Sequence, residues 1–80
     1  MHDVILPELG EGIEKAMVAC WNIKPGDRCR ADDDIVELVT DKASFGVSAG
    51  QDGVVTQIFV SQGQEAKIGQ VLARIQTQKG

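Results

Sequence analysis

Lys42 stands in the string Glu37-Leu38-Val39-Thr40-Asp41-Lys42-Ala43-Ser44, with apolar, strand-like residues before it and Gly46 and Val47 just beyond. That placement puts one primary amine at a hairpin tip. A turn lysine is by default an ordinary solvated charge, so its neighbours decide whether it is more. Other chemistry-bearing patterns are weaker. Gly10-Glu11-Gly12 resembles the start of a dinucleotide-binding loop, but the third glycine would fall at Lys15 and no helix is expected to follow. Asp32-Asp33-Asp34 fails as a calcium loop, because Val36 and Glu37 occupy the positions of its next acidic ligand and its glycine. A solvated acidic turn is expected there. Cys20 and Cys29 match no zinc or redox pattern and are expected as reduced thiols. No metal site is expected.

The elements that must position the lysine are written twice. Shifting the chain by 37 positions lays residues 18–42 over residues 55–79. Val18 then meets Val55, Ile23 meets Val60, Gly26 meets Gly63, Ile35 meets Leu72, Leu38 meets Ile75, Thr40 meets Thr77 and Lys42 meets Lys79. Two copies are too few for a solenoid, so the repeat implies one compact domain with pseudo-twofold symmetry. Cys29 meets Ala66 and is expected to be a small buried residue. Lys79 is penultimate and lacks the following chain that would close a hairpin.

Eighty residues make one domain, and at that size about 60% of the unfolded chain's surface is buried. An apolar share of 42% with 25% charged residues is ordinary for a globular protein and too apolar for disorder. The net charge of −4 is uneven: residues 1–42 hold 10 of the 12 acidic and 5 of the 8 basic side chains. Nucleic acid and anionic membrane both ask for a basic face, so both are excluded as partners. Protein partners with basic docking surfaces fit better. No run reaches the roughly 20 apolar residues of a membrane span. With a strand-like run starting at Val4, no signal peptide is expected within this sequence. The setting is expected to be cytoplasmic, or the mitochondrial matrix in a eukaryote, with the isolated domain monomeric.

Short apolar runs between turn signals predict an all-β fold. Strands are expected at Val4–Leu6, Met17–Ile23, Ile35–Thr40, Ser44–Val47, Val54–Val60 and Val71–Ile75. Lys24-Pro25-Gly26-Asp27 has proline and glycine where a type II turn wants them. Ile35 and Leu38, like Leu72 and Ile75, are three apart, whereas a flat half-buried strand spaces core residues by two. Both strands are therefore expected to bend or bulge, passing between sheets as in a flattened barrel. Trp21, Phe45 and Phe59 are expected in core or half-core positions, and His2 is given no part. The domain is expected to span residues 1–76, with 77–80 opening a flexible linker.

The runs Leu6-Pro7-Glu8-Leu9-Gly10-Glu11-Gly12-Ile13, Trp21, Lys24-Pro25-Gly26-Asp27 and Thr40-Asp41-Lys42-Ala43 resemble the lipoyl domain of the acyltransferase component of 2-oxo acid dehydrogenase complexes. The resemblance covers nearly the whole chain, and its most specific part is Asp41-Lys42-Ala43 with the glycine-rich stretch upstream. It implies a flattened β-barrel, a barrel-sandwich hybrid of two four-stranded antiparallel sheets, with a lipoyl group amide-linked to Lys42. Asp41 and Ala43 would present the amine to a lipoate ligase or octanoyltransferase. Leu9, Glu11 and Ile13 would help the decarboxylase recognise its own domain. The domain would be a non-catalytic carrier, because the cofactor holds the acyl group and electrons. Its partners would be a thiamine-diphosphate decarboxylase, the acyltransferase core that delivers the acyl group to coenzyme A, and dihydrolipoamide dehydrogenase.

This chain departs from that pattern in two places. Gly46 to Gly50 replace an acidic residue and prolines, and Val39 stands where an acidic residue is common. A pyruvate or branched-chain complex is the expected setting, with 2-oxoglutarate and acetoin open. Two other readings share the fold: a biotinyl carrier, whose lysine is typically flanked by methionines, and an unmodified structural barrel-sandwich module. The glycine-cleavage lipoyl protein is longer than this chain.

Overall fold

Alternating apolar residues broken by turns give eight strands over residues 1–77, the residues that the computed structural model describes. They are β1 (His2–Ile5), β2 (Lys15–Trp21), β3 (Arg28–Cys29), β4 (Asp34–Val39), β5 (Ser44–Ser48), β6 (Gly53–Ile58), β7 (Glu65–Lys67) and β8 (Val71–Thr77). Six match the expected strands to within two residues. β3 and β7 were not foreseen, because two and three residues are too short to show a hydrophobic period. They are mates under the 37-residue shift, so the repeat extends to them. Thr77, expected to open the linker, is the last residue of β8 and pairs with Gly53. The rest of the expected linker, Lys79 included, lies outside the described residues.

All pairings are antiparallel and form two four-stranded sheets, in the orders β1-β8-β6-β3 and β5-β4-β2-β7. The chain changes sheet at every connection except one, the β4–β5 hairpin. Constant crossing makes the architecture a flattened barrel-sandwich. The pseudo-twofold is visible bond by bond. The Gly26 N–H donates to the Val55 carbonyl at 2.7 Å, and the Gly63 N–H donates to the Val18 carbonyl at 2.8 Å. Each glycine sits at positive φ in the third position of its turn, +99° for Gly26 and +87° for Gly63. That is the type II geometry expected for residues 24–27. Asp27 and Gln64 each accept the N–H of the residue three before them, Lys24 and Ser61.

The three-residue spacing in β4 and β8 comes from the expected bulges, but each strand stays within one sheet and neither passes between the two as expected. Asp34 and Val36 face Ser48 and Val47, leaving Ile35 as an extra residue; Val4 and Ile5 face Ala73 and Val71, leaving Leu72 extra. A bulge lets two successive side chains turn inward. Ile35 and Val36 are both buried, as are Leu72 and Ala73. The core is built from repeat mates: Val18 with Val55, Cys29 with Ala66, Ile35 with Leu72 and Leu38 with Ile75 are all buried.

Two expectations need correction. Phe59 is 42% exposed, with the Arg74 guanidinium 5.3 Å above its ring, because it follows β6 on the outer face. Trp21 does pack on the core and donates its indole N–H to the Val60 carbonyl at 2.8 Å. His2 has a structural part after all: its Nε2 lies 3.0 Å from the Ala49 carbonyl oxygen.

Candidate functional site

Val39 and Ser44 face each other as the last pair of the β4–β5 ladder, which leaves Thr40, Asp41, Lys42 and Ala43 for the turn. The Thr40 N–H donates to the Ala43 carbonyl at 2.8 Å. Its hydroxyl donates to the same carbonyl at 3.1 Å and accepts the N–H groups of Lys42 at 3.2 Å and Ala43 at 3.0 Å. A hydroxyl has one proton and two lone pairs, so Thr40 is fully used. Asp41, Lys42 and Ala43 are exposed. The tip is thus fixed in backbone and open in side chain.

Asp41 is of a residue type that often closes a turn with its own carboxylate. Its carboxylate makes no hydrogen bond among the described residues, and Thr40 closes the turn instead. Sequence reading placed Thr40 at the strand end and missed this role. The signal was present, since Ser and Thr hydroxyls often bond backbone amides two or three residues on.

The β1–β2 connection lies beside the tip. By mates, Val4 with Val47 and Val18 with Val55, it is six residues longer than the β5–β6 connection. Its ends are clamped: Leu6 N–H to the Gln70 carbonyl at 2.9 Å, Gly69 N–H to the Leu6 carbonyl at 2.8 Å, and Ile68 N–H to the Glu14 carbonyl at 3.0 Å. The Ile13 N–H returns to the Gly10 carbonyl at 3.2 Å, folding the middle over itself. A β-carbon on Gly12 would sit 3.6 Å from Lys42 Nζ, so the loop passes close to the amine. Of the three sequence candidates here, Leu9 is half-buried against the core, Ile13 is half-buried and Glu11 is exposed. Leu9 anchors the loop while Glu11 and Ile13 offer surface. A groove of about 550 Å³ runs between this loop, the start of β2 and the hairpin.

The other candidates have structural explanations. Asp33 accepts the Arg30 N–H at 2.9 Å, a bond repeated by Gln70 and the Lys67 N–H at 3.0 Å. Among the described residues no cluster fit for a metal occurs. Cys29 is buried, and burial pushes its thiol pKa up. Cys20 is half-buried and donates its S–H to Glu37 at 3.2 Å, which also raises its pKa. Both thiols are free. No helix long and apolar enough to cross a membrane is present among the described residues.

The Biotin_lipoyl family model, described as a biotin-requiring enzyme, matches residues 2–75. The chain is 36% identical, over 91% of its length, to the dihydrolipoyllysine-residue succinyltransferase component of the 2-oxoglutarate dehydrogenase complex of Escherichia coli. It is 34% identical over 88% to the acetyltransferase component of the pyruvate dehydrogenase complex of Staphylococcus epidermidis. To the lipoamide acyltransferase component of the branched-chain alpha-keto acid dehydrogenase complex of Bacillus subtilis it is 28% identical over 98%. It covers 18%, 16% and 18% of those proteins, so it corresponds to less than a fifth of each. The solution structure of the lipoyl domain of the 2-oxoglutarate dehydrogenase complex from Azotobacter vinelandii superimposes over 100% of both chains, with a TM-score of 0.77 and 34% identity. With the family model matched over residues 2–75 and a solved lipoyl domain superimposed over the whole chain, this chain belongs to the Biotin_lipoyl family, on its lipoyl-domain side.

Proposed function

We propose that Lys42 bears an amide-linked lipoyl group and that this chain is the carrier part of a dihydrolipoamide acyltransferase. The observation that carries the reading is the tip itself: an exposed amine between two exposed residues, on a backbone already fixed by Thr40. When bound, the group supplies a dithiolane that accepts an acyl unit with its electrons and surrenders both in turn. The protein's own part is presentation. A lipoate ligase or octanoyltransferase must tell Lys42 from Lys15, Lys24 and Lys67, which share its chemistry and differ in position. Lys15 is engaged with Glu65 at 3.4 Å. The free carboxylate of Asp41 and the small side chain of Ala43 leave an enzyme both a contact and room.

As a carrier the chain is non-catalytic. Its partners in this reading are a thiamine-diphosphate decarboxylase, dihydrolipoamide dehydrogenase and the acyltransferase core, met in the cytoplasm or the mitochondrial matrix. Glu11 and Ile13 would meet the decarboxylase beside the amine. The narrowing to a pyruvate or branched-chain acid is not kept, because relatives of the 2-oxoglutarate type match equally well. The substrate class is a 2-oxo acid.

Intact-mass measurement after expression with lipoate and, separately, with biotin tests the reading. A lipoyl increment absent from Lys42→Ala supports it; a biotinyl increment, or no modification under either supplement, sinks it. Reductive acylation by purified pyruvate, branched-chain and 2-oxoglutarate decarboxylases then identifies the acid.

A further inference from the structure

Met17 is one of the few large apolar side chains left in solvent, 43% exposed on the outer face of its sheet. It pairs across the ladder with Val39, the last residue before the tip. On its other side it faces Glu65 of β7. Ile13, half-buried, lines the same groove from the β1–β2 loop. Met17, Val39 and Ile13 together make an apolar track that begins at the hairpin, rimmed by Asp41 and Glu65. The groove opens beside the lysine, since Thr40 and Asp41 line it, and a β-carbon placed on Gly12 in its wall would stand 3.6 Å from Lys42 Nζ.

We infer that this groove is a resting site for the chain's own lipoyl arm, holding the dithiolane against Met17 and Val39 between encounters with partner enzymes. The inference rests on the proposed modification of Lys42 and concerns where the group spends its time. Three features favour this occupant. Amide formation removes the lysine charge, so an apolar chain leaves a neutral root at the groove's mouth. The thioether of Met17 is a polarisable surface suited to sulfur and alkyl contact. The arm is tethered beside the groove, which gives it a high effective concentration against any free competitor. The charged residues of the lining are Glu14, Lys15, Asp41 and Glu65, of which Lys15 and Glu65 are paired with each other at 3.4 Å, which leaves a net acidic margin that discourages an anionic ligand.

Carbon-13 methyl NMR on the lipoylated and unlipoylated chain tests this, with intact mass recorded on the same samples. The expected result is nuclear Overhauser contact from arm methylenes to the Met17 and Val39 methyls, with shift changes there and at Ile13. Val39→Glu and Met17→Gln should each abolish those contacts while leaving the core methyls of Ile35 and Leu72 in place. After reduction by a phosphine, alkylation of the arm's dithiol should be about threefold slower in the parent than in Val39→Glu, because a parked group reacts only through its free fraction. Shift changes confined to residues 40–43 in a lipoylated sample overturn the resting site and leave the carrier reading intact. Changes that scale with protein concentration overturn it in favour of a second copy of the chain. An unmodified Lys42 overturns both.

Discussion

Thr40 holds the hairpin tip with a single hydroxyl, through one donated and two accepted hydrogen bonds. Replacing it by the isosteric valine removes all three. The tip amides turn to water, so Thr40→Val should lower unfolding free energy by only about 0.5–1.5 kcal/mol. Its larger effect should fall on lipoylation, slowed in a ligase time course while Thr40→Ser retains most of the rate. An equal rate for parent and valine variant would mean that tip order is irrelevant to the ligase. Cys20 offers a second residue-scale test. The Glu37 carboxylate accepts its S–H bond and keeps the thiol pKa above its ordinary value, so the thiol stays protonated at neutral pH. Glu37→Gln should therefore speed alkylation of Cys20 near pH 8 while buried Cys29 stays unreacted in the native protein. An unchanged rate in a thiol titration would show that the contact does not govern the thiol.

Among elements, the bulges let β4 and β8 each turn two successive side chains into the core, and close backbone approaches hold the sheets in register. Gly53 opens β6 beneath the Gln76 carbonyl, and a β-carbon on it would overlap that oxygen and lie 2.7 Å from Ile75 Cγ2. Backbone cannot step aside as a flexible side chain does. Gly53→Ala should cost about 1–3 kcal/mol in a denaturant titration, as overpacking does. The edge strand β1 is fastened to β8 partly by Asp3, which accepts the Arg74 Nε–H at 2.8 Å. That bond holds the Asp3 pKa below the ordinary carboxylate value in the folded state. The folded value being the lower one, its contribution is present above the unfolded pKa and lost as pH falls through the folded one. Asp3→Asn should thus flatten the pH dependence of stability below about pH 4. A variant whose acid unfolding curve overlays the parent's would assign that slope to other carboxylates.

For the whole molecule, pseudo-twofold symmetry carries the β4–β5 pair onto β8–β1, the last and first described strands. His2 pairs with Ile75, so these two strands lie side by side as the hairpin strands do. The two halves are nearly equivalent in packing, and the closed turn distinguishes the functional end. A circular permutant with the ends joined by a short glycine linker and the chain opened between Asp41 and Lys42 should fold with cooperative unfolding. It should be a poor lipoylation substrate, because Thr40 no longer spans the opening. Efficient modification of that permutant would show that an exposed lysine suffices without a hairpin.

Much of this was legible in the residues. The repeat, the type II turn at Gly26, the exposed tip and the bulged strands follow from local pattern, because turn chemistry and the two-residue period of strands act over a few positions. The burial of Cys29 came from its mate Ala66. Tertiary structure alone decided what depends on distant segments meeting. β3 and β7 are too short to announce themselves and exist because β6 and β2 offer them partners. Phe59 faces water because its place beside Arg74 lies outside the core, which no local hydrophobicity encodes. The nearness of Gly12 to Lys42 and the Met17–Val39 track join segments separated by 30 and 22 positions. Sequence therefore determined that an amine would be displayed, and the packing of loop against hairpin decided what surface lies beside it.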